Sequence, residues 1–331
     1  MKAEVAYYNQ LEEKSVRCQV CPHNCRIKPG KRGVCRVRVN LGGTLYATNY
    51  GEHSSVALDP IEKKPLYHFY PGKNILSVGT VGCNLSCGFC QNYQIAHEEP
   101  PTRFLSPLEL LDLAEECKPR GSIGVAYTYS EPLMWYEYLR DALPVIKDGG
   151  LKNVLVTNGY INPEPLEGIL PYIDAMNIDL KSFSDQYYQV NCHGRLEPVK
   201  ETIKLCAGRV HVEVTTLLVT GLNDTPGEIE ELSRWVAGLD PSIPLHLSAY
   251  YPAYKVKLPP TSHAAMRVAR DVARKYLKHV YIGNMAGFDN DTFCPHCQAP
   301  LVTRQGYRVK VEKLAGSCCV ECGRILKCFT S

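Results

Sequence analysis

The sequence predicts an α/β protein, a partial TIM-like (β/α)6 barrel with a cysteine-rich module at each end. Three observations carry the prediction. Between residues 71 and 287, apolar strand-like runs alternate with amphipathic helix-like runs, the pattern of βα units around a parallel sheet. Only about six such units are visible, short of the eight that close a complete barrel. Thirteen of the 16 cysteines gather at residues 18–35, 83–90 and 294–328, so thiol chemistry is concentrated in one central loop and at the two ends.

Residues 1–70 read as an irregular β-rich module, broken by Pro22, Pro29-Gly30, Gly33 and Gly42-Gly43 and alternating in VCRVRVN and TLYATNY. The expected barrel strands are ILSVGT (75–80), SIGVAYTY (122–129), NVLVTN (153–158), IDAMNIDL (173–180), VHVEVTTLL (210–218) and PLHLSAY (244–250). Helices fall between them: SPLELLDLAEEC starts with Ser106 as N-cap and Pro107 in the first turn, and PGEIEELSRWVAGL has the same apolar periodicity. Residues 288–331 leave this pattern for a short cysteine-rich tail.

Composition excludes several classes. Apolar residues make up 45% and charged residues 21%, which fits a folded chain and neither disorder nor a fibrous repeat. No run approaches the roughly 18 apolar residues of a membrane span, and the first residues lack an apolar signal core, so a cytoplasmic protein without a membrane partner is expected. In a reducing compartment clustered thiols serve as ligands or catalysts rather than as disulfides. The net charge of +3 hides a local +8 over residues 14–51 and +4 over 303–331, flanking an acidic middle. RNA is one partner such basic termini suit; the other account is that the cations offset the negative charge of metal–thiolate sites.

The central motif is GCNLSCGFCQN, with Cys83, Cys87 and Cys90 in C-x3-C-x2-C spacing after the first barrel strand. Three thiolates on one tight loop hold three corners of a cubic iron–sulfur cluster, and no neighbouring fourth cysteine closes it. At the N-terminus Cys18, Cys21, Cys25 and Cys35 supply a closed set of four, suited to Zn²⁺ or to an auxiliary [4Fe–4S] cluster. In the tail, Cys294-Pro-His-Cys297 and Cys319-Val-Glu-Cys322 are two C-x2-C knuckles around a hairpin, the pattern of a zinc ribbon, with Cys318 as an alternative to Cys319 and Cys328 outside the set. Lys63, Lys64, His68 and Tyr70, just before the first barrel strand, either approach the central cluster or belong to a connector packed against the barrel, the second reading being weighted more for the lysines than for His68, and Cys192 is the isolated cysteine of most interest.

The central motif, with Phe89 before its last cysteine, resembles that of the radical S-adenosylmethionine (SAM) superfamily. YTYSEP, TNG and DLK at successive strand ends are similar to the branch containing pyruvate formate-lyase activating enzymes. The resemblance implies that Glu131 meets the SAM amino group and that Asn158 contacts the nucleoside and methionyl parts. It further implies that Asp179 and Lys181 face the SAM carboxylate or the substrate. Over nearly the whole chain, CPHNCRIKPGKRGVCRVRVN, ALDPIEKKPLYHFYPG, AMNIDLKSFSDQYY, VEVTTLLVTGLND and YIGNMAG resemble the radical SAM enzyme of the AmmeMemoRadiSam system. Ser130 and the segment SAYYPAY depart from that pattern.

The expected activity is reductive cleavage of SAM at a [4Fe–4S] cluster and abstraction of a substrate hydrogen. An electron donor such as flavodoxin or ferredoxin is implied. So are Memo-type and Ammecr-type partners, with RNA or a small molecule as substrate. A glycyl-radical-enzyme activase and a noncatalytic metal-binding scaffold are the alternatives.

Overall fold

The computed structural model describes residues 1–330. Its centre is one eight-stranded sheet. β1 (Ser55–Pro60) pairs antiparallel with β2 (Asn74–Gly79). From β2 the sheet continues in sequence order, every pairing parallel, through β3 (Ser122–Tyr127), β4 (Lys152–Thr157), β5 (Ala175–Asp179), β6 (His211–Leu218), β7 (Leu245–Ala249) and β8 (Val280–Gly283). Among the described residues β1 and β8 do not pair with each other, so the sheet is open.

The strands are short apolar runs because helices cover the sheet, and burial rather than alternation sets their composition. Long helices follow in the crossovers: α1 (Pro107–Glu116), α2 (Tyr136–Asp148), α3 (Pro163–Ile169), α4 (Leu196–Cys206), α5 (Pro226–Leu239) and α6 (His263–Ala273). Ser106 caps α1 reciprocally with Glu109, and Thr225 accepts from Glu228 at the start of α5, each satisfying amides the helix leaves open.

Two features differ from the sequence reading. The sheet has seven parallel strands instead of six, because β8, with only VYIG, is too short to register as a periodic run. The chain before residue 70 also contributes β1 to the main sheet. Ahead of β1 lie two small three-stranded sheets, Ala3–Glu4 with Thr44–Ala47 and Arg38–Leu41, and Tyr8–Gln10 with Val16–Cys18 and Arg26–Ile27. Their buried side chains, Val5, Val16, Ile27 and Leu45 among them, share one continuous core with Leu76, Tyr136 and Leu139. The tail has its own small core of Leu301, Val302, Leu314 and Phe329 around a three-stranded antiparallel sheet. No helix among the described residues is long and apolar enough to cross a membrane.

Candidate active site

Parallel strands deliver the residues that follow them to one end of the sheet, and a cavity of about 260 Å³ opens there. Cys83, Cys87, Phe89 and Cys90 line it from the loop after β2. Glu131 enters after β3, Asn158 after β4, and Asp179 and Lys181 at the end of β5. The residues singled out in the cysteine motif and at the three strand ends therefore face one space.

Neighbouring backbone holds the cysteine loop from both sides. Ser86 N donates to Cys192 O at 2.9 Å, and Lys255 N to Gly88 O at 2.9 Å. Asn84, inside the motif, donates through Nδ2 to Tyr160 O at 2.6 Å and accepts from Asn158 Nδ2 at 2.9 Å. The N-terminal sheets reach the loop too: His23 Nε2 lies 2.7 Å from Asn84 O. Gly82 sits at φ 88°, and a Cβ there would stand 2.8 Å from Cys35 O and 2.7 Å from a Val37 methyl. The two cysteine sets thus touch through a glycine that nothing larger can replace without displacement.

Around Cys83 the geometry suits a thiolate. Leu85 N donates towards Sγ at 3.4 Å and Asn158 Nδ2 approaches it at 3.6 Å. Burial pushes the Cys83 thiol well up, and Cys90 up to about 11, so bare thiols stay protonated until a metal displaces the protons. Cys192, fully buried, lies against Cys87, and its hydrogen bond favours the Cys87 thiolate while its own thiol is pushed up.

Glu131 is buried and its carboxylate is nearly saturated. Oε1 accepts from Thr157 Oγ1 at 2.6 Å and from Leu133 N at 3.0 Å; Oε2 accepts from Asn158 N at 2.8 Å. Burial nevertheless lifts its carboxyl to about 7 against those donors. Asp179 pairs with Lys181 Nζ at 2.8 Å, presenting a charge pair at the cavity wall.

Two further thiol sets surround other spaces. Cys294, Cys297, Cys319 and Cys322 converge, with Sγ separations of 3.8 Å (Cys294–Cys322) and 3.7 Å (Cys297–Cys319). Thiolates bound at about 2.3 Å to a tetrahedral ion stand about 3.8 Å apart, so these four fit a single ion. Cys318 turns its Sγ towards Cys319 O instead. Cys18, Cys21, Cys25 and Cys35 line a separate small pocket with Arg38, whose Nε and Nη2 are buried without hydrogen-bond partners. Arg38 pairs with Glu137 on its far side, and the unpartnered N–H groups of this buried cation, beside four thiols, fit the negative charge that those thiols acquire on binding metal.

The connector ahead of β2 packs against the sheet. His68 lies at the opposite end of the sheet from the cysteine loop, against His279 and Phe329, and Lys64 is tied to Asp59 at 2.8 Å. A connector that crosses from one sheet end to the other carries early and late residues to different places, which spacing alone does not reveal. Asn84, Thr157 and Tyr129 also line or brace the cavity; each lies inside a motif quoted from the sequence, GCNLSCGFCQN, TNG and YTYSEP, without being singled out as a site residue.

The radical SAM superfamily model matches residues 77–236. An uncharacterized protein of Methanocaldococcus jannaschii is 42% identical over 319 residues, covering 94% of each chain. The chain belongs to the radical SAM superfamily. Another M. jannaschii protein, provisionally described as a glycyl-radical enzyme activating enzyme, is 25% identical over 231 residues, 66% of this chain and 92% of its own. Streptococcus suis SuiB in its SAM-bound crystal structure shares the fold, with a TM-score of 0.51 at 16% identity over 62% of this chain and 48% of that one. Radical SAM proteins are enzymes that carry a [4Fe–4S] cluster and SAM, and the three-thiol loop facing a cavity fits that requirement.

Proposed function

We propose that this radical SAM enzyme works at the Cys83–Cys87–Cys90 loop, on a partial barrel flanked by an N-terminal metal module (residues 1–70) and a C-terminal zinc ribbon (288–331). The convergence of Cys83, Cys87, Cys90, Glu131, Asn158, Asp179 and Lys181 on one cavity supports this reading. Cys83, Cys87 and Cys90 would hold a [4Fe–4S] cluster, which, once reduced by an external donor, would supply the one-electron chemistry that cleaves SAM to methionine and a 5′-deoxyadenosyl radical able to take a substrate hydrogen.

The chain's own residues bind and orient. Three donors on the Glu131 carboxylate leave one lone-pair direction free, suited to an ammonium. Thr157 and Asn158 fix that carboxylate in the plane it presents. Lys181 holds Asp179 at the wall, and Asn158 aims its amide at Cys83. Leu85, Phe89, Val156 and Leu217 supply apolar walls that keep water from a reactive intermediate.

The N-terminal quartet is assigned to a second cluster. No three of its thiols gather within the 4.8 Å that the ribbon set satisfies, and a cube spreads its ligands over separate irons whereas one ion draws them together. The ribbon quartet is assigned to Zn²⁺ from its spacing.

For the substrate, RNA or a small molecule modified in concert with Memo-type and Ammecr-type proteins is the first reading. Lys14, Arg17, Arg26, Lys28, Lys31, Arg32 and Arg36 remain exposed on the N-terminal module, and these cations favour RNA. Glycyl-radical activation is the second, favoured by likeness to the provisional activating enzyme. Either way a flavodoxin or ferredoxin type of donor is the reductant, in the cytoplasm. Anaerobically reconstituted protein with SAM and dithionite is expected to release 5′-deoxyadenosine, and Cys83→Ala to abolish it; an unchanged yield in the variant refutes the assignment.

A further inference from the structure

We propose that His68, His279 and Cys328 form a zinc site that fastens the C-terminal tail beneath the sheet. One nitrogen of each imidazole and the Cys328 Sγ lie within 4.8 Å of one another. His68 comes from the connector between β1 and β2, His279 directly precedes β8, and Cys328 comes from the end of the tail, so no sequence spacing announces the set. It is separate from the ribbon quartet and lies at the sheet end opposite the cysteine loop.

The distances suit one ion. His279 Nε2 stands 3.7 Å from Cys328 Sγ. An imidazole nitrogen at about 2.0 Å and a thiolate at about 2.3 Å on a tetrahedral ion are about 3.5 Å apart. His68 is fully buried, and its Nδ1 has no hydrogen-bond partner among the described residues. Its other nitrogen, Nε2, lies 2.6 Å from Tyr281 Oη, which lies 2.7 Å from Thr292 Oγ1. A proton on Nε2 donated to Tyr281 leaves the Nδ1 lone pair bare, and an outer hydrogen bond of this kind is what orients a metal-binding imidazole.

The surroundings are already organised. The His68 ring stacks on Phe329 at 4.0 Å and meets the His279 ring edge-on at 4.4 Å. Thr330 N donates to His68 O at 2.9 Å and Tyr70 N donates to Thr330 O at 2.6 Å, so the tail is threaded alongside the connector that carries the first ligand. Cys328 also lines a cavity of about 400 Å³ with His211, Asp240 and Lys327, which gives an ion a way in and a water a place as fourth ligand. Two imidazoles and one thiolate are donors that Zn²⁺ accepts. Placed at the N-terminal ends of the strands, the site serves attachment rather than turnover.

The test is zinc counting on the full chain, purified anaerobically with its iron retained. Cys328→Ser and His279→Gln are each expected to lose one zinc per chain with iron unchanged. Cys297→Ser is expected to lose a different one, and Cys328→Ser/Cys297→Ser both. Zinc equal to wild type in both Cys328→Ser and His279→Gln overturns the proposal. Should the tail variants fail to fold, X-ray absorption at the zinc edge of the wild-type chain, whose other zinc ligands are all thiolates, reads the site directly. A mixed nitrogen and sulfur shell supports it, and a shell without nitrogen refutes it.

Discussion

The Arg38 guanidinium and the Glu137 carboxylate meet at 2.7 Å with 2% and 1% of their side chains exposed. Arg38 belongs to the N-terminal cysteine module and Glu137 to the first turn of α2, so a buried ion pair joins the module to the sheet's helical layer. The pair also removes one cation from the basic run of residues 14–51, which the sequence by itself would count as surface charge.

Breaking that pair from one side strands the other charge in the interior. Glu137→Gln is expected to cost about 3–5 kcal/mol in chemical denaturation. An apolar replacement of both, Arg38→Met/Glu137→Leu, is expected to recover much of the loss in stability but not metal binding at the N-terminal quartet, because Arg38 offsets the charge its thiolates would carry.

At Gly82 the left-handed φ and the close carbonyl of Cys35 leave no room for a methyl group. Gly82→Ala is expected to destabilise the fold by about 1–3 kcal/mol and to lower metal incorporation at both cysteine sets. Iron per chain after reconstitution, compared with wild type, measures it; normal loading would separate the two sets.

Replacing the Glu131 carboxylate by an amide keeps its shape and removes the charge. The lost charge-assisted contact corresponds to about 1.5–3 kcal/mol, so Glu131→Gln is expected to raise the SAM dissociation constant roughly 10–100-fold. Calorimetric titration of the reconstituted protein reads this apart from turnover.

Asp59 contributes to the pH dependence of stability. Burial alone would raise its carboxyl, but hydrogen bonds from Lys64, Tyr129 and Lys63 outweigh burial and hold it well below the usual range. A depressed acid stabilises the fold fully at neutral pH and loses that contribution as pH falls below about 4. Asp59→Asn is expected to lower the melting temperature at pH 7 and to flatten its fall on acidification. Equal slopes for wild type and variant would exclude Asp59 as the source.

Chelation is expected to unfold the tail before the sheet, since so small a core would rely on an ion bound by the four thiols. Proteolysis of chelated protein should remove residues after about 288 while leaving the sheet intact.

Much of the site was legible because its ligands are local. Cys83, Cys87 and Cys90 sit within eight residues, and each further cavity residue follows a strand, so parallel order carries them to the same end. The knuckles of the ribbon are equally local. β8 escaped notice because four residues are too few to display a period, and β1 because its partner strand is the only sign that it belongs to the main sheet.

The sequence by itself determined the radical SAM motif, the βα alternation and the three groups of thiols, since each depends on neighbours along the chain. Tertiary structure alone decided which of Cys318 and Cys319 joins the ribbon, that Arg38 is interior, that Cys192 lies against Cys87, and that His68, His279 and Cys328 meet. Those relationships join residues up to hundreds of positions apart, and only packing sets such distances.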